Sequence, residues 1–197
     1  MSKYGGIDAI IQTLLRCDEE PPDEDYSPLD FGATLAQSLS PAGLRDLACA
    51  ILRRLPSSLA SSVLEGLLAT SVDMLNPQLM FDEIATGSQL DTGATIVELL
   101  VSRFEVAPDD VSAELFRRLL RAHDAAVQDR YAFALWALFC GETVLIKEGK
   151  TVGYLVSAAL AEIDVQLLRS DLSEYSKATL RACRSASQST TSADGAG

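Results

Sequence analysis

Few residues in this chain combine the types and spacing that chemistry requires. Gly149-Lys150-Thr151 follows a β-prone run, Thr143-Val144-Leu145-Ile146, and precedes an apolar-striped segment. A phosphate-binding loop has that order. It also needs a glycine five positions before the Gly-Lys pair, so that enough backbone N–H groups can cradle the phosphates. Val144 stands there, and the segment reads instead as a tight turn leading to Thr151 as a helix N-cap. His123 is the sole histidine. One imidazole supports neither a histidine-rich metal site nor a paired acid–base relay. Its place in Arg121-Ala122-His123-Asp124, at a helix junction, suits an exposed or capping role. Asp171-x-x-Glu174 has the spacing of the carboxylate pairs that hold magnesium in all-helical hydrolases, but no second pair faces it. It reads better as a capping box opening the last helix. Glu162 and Asp164 flank Ile163 and so point to different sides of their helix.

Nucleophiles fare no better. The chain has no Gly-x-Ser-x-Gly elbow and no Cys-x-x-Cys pair, and Cys17, Cys49, Cys140 and Cys183 are scattered. Three of them fall inside apolar helical patterns, where a free cysteine acts as a small hydrophobe, and a reducing compartment follows. The sequence therefore predicts no catalytic residue, no cofactor site and no metal ligand, and the chain reads as a non-enzymatic protein.

Charge offers binding chemistry instead. Asp18-Glu19-Glu20-Pro21-Pro22-Asp23-Glu24-Asp25 packs six acids and two prolines with no base. Like charges repel and proline bars helix, so an extended, solvated loop is expected over 18–28. Its Asp23, Glu24 and Asp25 are candidate contacts for a basic partner surface. Arg53-Arg54 and Arg117-Arg118-Arg121 lie beside apolar stripes, where long basic side chains snorkel or pair with nearby acids. Arg117 and Arg118 are the candidate contacts of the opposite sign. The whole chain of 197 residues carries 28 acids against 16 Lys and Arg, a formal charge of −12. Such a surface repels a phosphate backbone, so direct binding to nucleic acid or to an anionic membrane is disfavoured.

The elements that must position these groups are helical. A composition of 48% apolar residues excludes wholesale disorder and suits one well-cored domain over 1–184. The tail from 185 to 197 is rich in Ser, Thr, Ala and Gly and is expected to be disordered. Met-Ser-Lys-Tyr-Gly-Gly lacks the apolar centre of a signal peptide, no apolar run reaches the length of a membrane span, and a cytoplasmic location is the expectation. Apolar stripes at helical spacing recur at Ile7–Leu15, Phe31–Leu39, Leu44–Leu55, Leu59–Leu68, Ile96–Phe104, Val111–Leu120 and Val152–Leu167, with a short helix at Gln78–Ala85. Pro41 suits a first helical position, Ser57 or Ser58 a cap, and Asp109 or Asp110 another. Tyr131–Cys140 is apolar nearly all round, with Trp136, the only tryptophan, between Phe133 and Phe139. Such a helix is expected inside a bundle, with Trp136 buried.

A shift of 52 residues lays Pro56 on Pro108 and the stripe Leu59, Val63, Leu64, Leu67, Leu68 on Val111, Leu115, Phe116, Leu119, Leu120. The fold class is thus all-α, with about seven to nine helices. It is either an irregular multi-helix bundle or a short stack of αα-hairpins built on that repeat, with at most one short β-hairpin at Thr143–Val152. The functional expectation is a protein–protein interaction module (adaptor, assembly factor or inhibitor) acting through helix faces and the acidic loop on a protein partner; a homo-oligomer is compatible with it. Two alternatives stand beside it. One is an acidic nucleic-acid mimic that occupies a nucleic-acid-binding partner, and the other is a helical hydrolase, which needs converged carboxylates.

Overall fold

The computed structural model describes residues 6–22, 25–71, 76–87, 89–140 and 152–193, with backbone alone at 70–71, 140, 152–158 and 186–193. Among the described residues the fold is all-α, with ten helices and no strand. The expected β-hairpin lies almost wholly outside the described residues; its last residue, Val152, opens a helix. The sequence reading takes 1–184 as one domain, whereas the chain divides into two compact units, Met1–Thr95 and Ile96–Gly197.

In the first unit α1 spans Ile7–Glu19, α2 Pro28–Ser38, α3 Pro41–Arg54, α4 Ser57–Ser71 and α5 Pro77–Thr86. Three of these begin alike. Ser27, Ser40 and Asn76 each accept a hydrogen bond from the backbone N–H three residues on (3.3, 3.3 and 2.8 Å), and each is followed by proline. The cap satisfies one orphan donor, and proline gives up an N–H that would have no partner in the first turn. Helix α1 takes in Asp18 and Glu19, so the expected acidic loop begins two residues late. Ser57 does not cap α4 as expected: its hydroxyl is buried without a hydrogen-bond partner.

Helix α3 is the hub of this unit, touching α1, α4 and α5, while the closest pair is α2 with α4. A stack of hairpins would make α3 the main partner of α4, so the sequence offset does not set the packing here. Leu44, Leu47, Ile51 and Leu52 of α3 and Val63, Leu64, Leu67 and Leu68 of α4 are buried, as their spacing predicts. Arg53 forms a two-pronged ion pair with Glu83 of α5, at 2.7 and 2.6 Å, and Arg54 pairs with Asp8 of α1. Glu83 is buried, so Arg53 compensates a carboxylate taken out of water. Burial, then the Glu83 carboxylate, pushes the neighbouring Cys49 thiol up to about 11.

Helix α6, Thr92–Ser102, carries the unit boundary. The second unit continues with α7 (Pro108–Arg121), α8 (Ala125–Cys140), α9 (Val152–Leu167) and α10 (Glu174–Ala193). After α6 the Val106 N–H reaches back to the Leu100 carbonyl at 3.0 Å, with Glu105 at φ 52°. That is a helix stop that glycine usually makes, built here on a side-chain-bearing residue. Helices α7 to α10 close a ring, because α7 touches α8, α8 touches α10, α10 touches α9 and α9 touches α7.

One end of the ring is tied by polar side chains. Gln128, fully buried, donates to the Ala122 and Asp171 carbonyls (both 3.1 Å) and accepts from Ser173 N–H at 2.8 Å. Arg169 spends all five N–H donors on the Leu119 and Ala122 carbonyls, the Gln166 amide oxygen and both Asp171 oxygens. It thereby satisfies carbonyls left open where α7 ends. Two expected caps are corrected here. Helix α10 is capped by Ser173, which accepts from Ser176 N–H at 2.9 Å, and not by Asp171, whose carboxylate Arg169 holds. Helix α7 starts at Pro108 with no side-chain cap, Asp109 and Asp110 standing in its first turn. Asp124 caps α8, accepting from Val127 N–H at 3.0 Å, and His123 is exposed, one of the two roles its position suits. The backbone of α10 runs to Ala193, past the expected end of order at Ser185. Ser and Ala tolerate helix, and Ser185 bonds back to the Arg181 carbonyl at 3.0 Å.

Candidate functional site

Two grooves lie among the described residues of the second unit, on opposite seams of its helix ring. The first runs between α7 and α9, with a volume of about 530 Å³. Ala113, Phe116, Leu120 and Ala159 supply its apolar lining, and Asp109, Arg117 and Glu162 are its charged members. This is where the structure places the predicted Arg117. Both expected cations are tied down by one acid: Glu114 accepts from Arg117 Nε and Arg118 Nε, each at 2.6 Å. Hydrogen bonding from Arg117, and then from Arg118, holds the Glu114 carboxyl below its ordinary 4.5. Arg118 also donates to the Tyr131 hydroxyl at 3.5 Å, and its side chain is only 12% exposed. Arg118 thus braces α7 against α8, while Arg117, 43% exposed, is paired within α7 and lines the groove.

The second groove, about 320 Å³, runs between α8 and α10 and is lined by Phe133, Trp136, Tyr175, Ala178, Thr179 and Ala182. Small side chains on α10 leave the space, and aromatic rings fill its margins. The expectation that Trp136 is buried is overturned: it is 39% exposed, while its neighbours Leu135 and Ala134 are fully buried. Helix α8 buries one side against α7 and another against α10, and a helix apolar all round then has a third side left over. Trp136 stands on that side, its ring centroid 5.4 Å from that of Phe133 in a tilted stack. Tyr175, from α10, is 42% exposed. Asp129 lies on the same α8 stripe as Phe133 and Trp136, four and seven residues before them. Its Oδ1 accepts from the hydroxyls of Ser173 and Ser176, the latter at 2.9 Å, and its Oδ2 takes no hydrogen bond among the described residues.

The remaining predicted contacts, Asp23, Glu24 and Asp25, belong to the first unit, and both grooves to the second. Asp25 is exposed just before α2, and Asp23 and Glu24 lie outside the described residues, as does Gly149-Lys150-Thr151. Tyr26, next along, is half-buried, and burial, with Cys17 beside it, raises its hydroxyl's pKa. Asp171 and Glu174, the one magnesium-like spacing, are occupied by Arg169 and Lys177, whose hydrogen bonds hold both carboxyls below their ordinary values. Among the described residues no three His, Cys, Asp or Glu side chains are grouped to hold a metal ion, and no helix is long and apolar enough to cross a membrane.

No family model, no curated protein and no solved structure matches the chain. The site therefore has to be read from its own chemistry. Sequence reasoning named Trp136 but placed it inside. The signal that would have turned it outward is the Ala-x-x-x-Ala spacing of Ala178 and Ala182 on α10, which marks a seam too shallow to cover a tryptophan.

Proposed function

We propose that this protein is a non-enzymatic protein–protein interaction module whose anchor is the aromatic groove between α8 and α10. The observation that carries the reading is the exposure of Trp136, stacked on Phe133 and faced by Tyr175, on a helix whose other faces are buried. Tryptophan and tyrosine supply large rigid contact area at small entropic cost, and a few such residues carry most of the energy of an interface. The partner is a protein with a basic surface. Acids outnumber bases 14 to 5 in Met1–Thr95 and 14 to 11 in Ile96–Gly197, so the first unit holds most of the net −12 and supplies the attraction at a distance. Asp23, Glu24 and Asp25 belong to that field, and Arg117 lines the groove between α7 and α9, with Arg118 next to it in sequence. The same uneven charge favours a second reading, an acidic mimic on a nucleic-acid-binding partner, which predicts that added nucleic acid competes the partner away.

Affinity capture from the native host, with wild type and Trp136→Ala side by side, tests the proposal. A bound protein whose recovery falls at least tenfold in the variant is the expected result. Equal recovery of every bound protein by both would remove the groove from the interface.

A further inference from the structure

We infer that the α8/α10 groove receives an arginine side chain of the partner, the guanidinium lying against Trp136 and directed to Asp129. The inference rests on the interaction reading above and gives its anchor a chemistry. Three aromatic residues, Phe133, Trp136 and Tyr175, line one small groove. Aromatic faces carry negative potential, attract cations within about 6 Å of the ring, and do so best at tryptophan and most often for arginine. A planar guanidinium stacks on such a face, and its fork of donors matches a carboxylate. A carboxylate stands one turn beyond the groove lining: Asp129 shares the stripe with Phe133 and Trp136, with Oδ1 fixed by Ser173 and Ser176 and Oδ2 without a hydrogen bond among the described residues. Of the cations on α10, Lys177 is held by Glu174 at 2.8 Å and Arg184 by Asp164 at 3.3 Å, while Arg181 stands within electrostatic reach of Glu174. Acids outnumber bases 14 to 11 in this unit, so its net charge does not repel a basic visitor. A hydrophobic side chain would fill the rings' space and leave the Asp129 oxygen unused.

The test uses the full chain and two capped tripeptides, acetyl-Gly-Arg-Gly-amide and the same peptide with citrulline, which keeps the planar shape and loses the charge. Titration is followed by the emission of the single tryptophan and by calorimetry. The arginine peptide should bind roughly three- to tenfold more tightly than the citrulline peptide. Calorimetry on Trp136→Leu, which keeps an apolar side chain on a half-exposed position, should show that preference erased, and Asp129→Asn, which keeps an acceptor for both serines, should reduce it roughly two- to fivefold. An arginine preference that persists in Trp136→Leu would place the attraction in the general acidity of the surface and overturn the inference. So would equal binding of the two peptides, or a concentration-dependent dimer in sedimentation that Trp136→Leu abolishes, since a second copy would then fill the groove. If Trp136→Ala loses a captured partner while the peptides bind equally, the interaction reading stands and only the arginine falls.

Discussion

Gly32 of α2 and Gly66 of α4 sit where two helix backbones touch. A Cβ on Gly66 would stand 1.8 Å from the Leu29 carbonyl oxygen, and one on Gly32 would stand 2.2 Å from that of Val63. In both cases the obstacle is backbone, which cannot rotate aside as a side chain can. Gly66→Ala should therefore cost about 3 kcal/mol, the upper part of the range for overpacking, despite alanine's better helix propensity. Gly43→Ala is the control, because its nearest neighbour is the Ser40 hydroxyl at an ordinary 3.4 Å. Urea denaturation should show Gly43→Ala within about 0.5 kcal/mol of wild type or above it. Similar losses at both positions would mean that helix α2 does not approach α4 so closely.

Leu135 and Trp136 are adjacent in α8, and their mutants should separate core from surface. Leu135 is fully buried, and Leu135→Ala should cost about 2–5 kcal/mol through lost burial and the cavity left behind. Trp136→Ala opens no enclosed cavity and should cost about 1–2 kcal/mol, mainly the contact with Phe133. Emission of the free protein should accordingly lie toward the red, as for an indole partly in water. A loss at Trp136 equal to that at Leu135 would return the ring to the core.

Periodicity could be trusted for which face of a helix is buried, and it failed on what covers that face. The stripe Leu44, Leu47, Ile51, Leu52 announces a buried side, but nothing in it says that α3 meets α1, α4 and α5 while α4 lies chiefly against α2. Local chemistry was legible where it is local, as at Ser40-Pro41. It misled at Asp171, because a guanidinium two residues away in Arg169 holds the carboxylate and Ser173 takes the cap. Arg53 and Glu83 are 30 residues apart in sequence, and no window of helical spacing could have joined them. For α8 the pattern has no polar side to orient it, so only its neighbours could decide which aromatic faces water.

Acid should weaken the second unit first through Glu114, Asp171 and Glu174. Each carboxyl is held below its ordinary value by a hydrogen-bonded base: Arg117 (with Arg118), Arg169 and Lys177 respectively. A depressed folded-state value means stability that is fully present above the unfolded value and lost as pH falls through the folded one. The loss should thus begin as pH drops below about 4.5 and grow on the way down. Glu114, whose side chain is 19% exposed, carries the clearest share. Glu114→Gln should lower stability by about 1 kcal/mol at neutral pH, and the deficit should shrink as wild-type Glu114 itself becomes protonated. A deficit constant from neutral pH to strong acid, measured by denaturation at each pH, would show that the carboxylate's charge is not what braces Arg117 and Arg118.

Charge and anchor should divide the kinetics of binding once a partner is in hand. Exposed acids mainly steer encounter, and their effect fades as the Debye length falls from about 10 Å at 0.1 M salt to about 3 Å at 1 M. Neutralising Asp23, Glu24 and Asp25 together should slow association severalfold at low salt and flatten its salt dependence, with dissociation unchanged. Trp136→Ala should do the reverse, because a desolvated aromatic contact is lost only after the complex has formed: association nearly unchanged, dissociation at least tenfold faster. One substitution acts on encounter and the other on dissociation, so their effects on the binding free energy should add within about 0.5 kcal/mol. Surface-immobilised partner and stopped-flow measurements at two salt concentrations resolve both rates. An unchanged association rate in the triple variant at low salt would leave these three acids without a part in steering, and the search for the steering charge would pass to the remaining acids of Met1–Thr95.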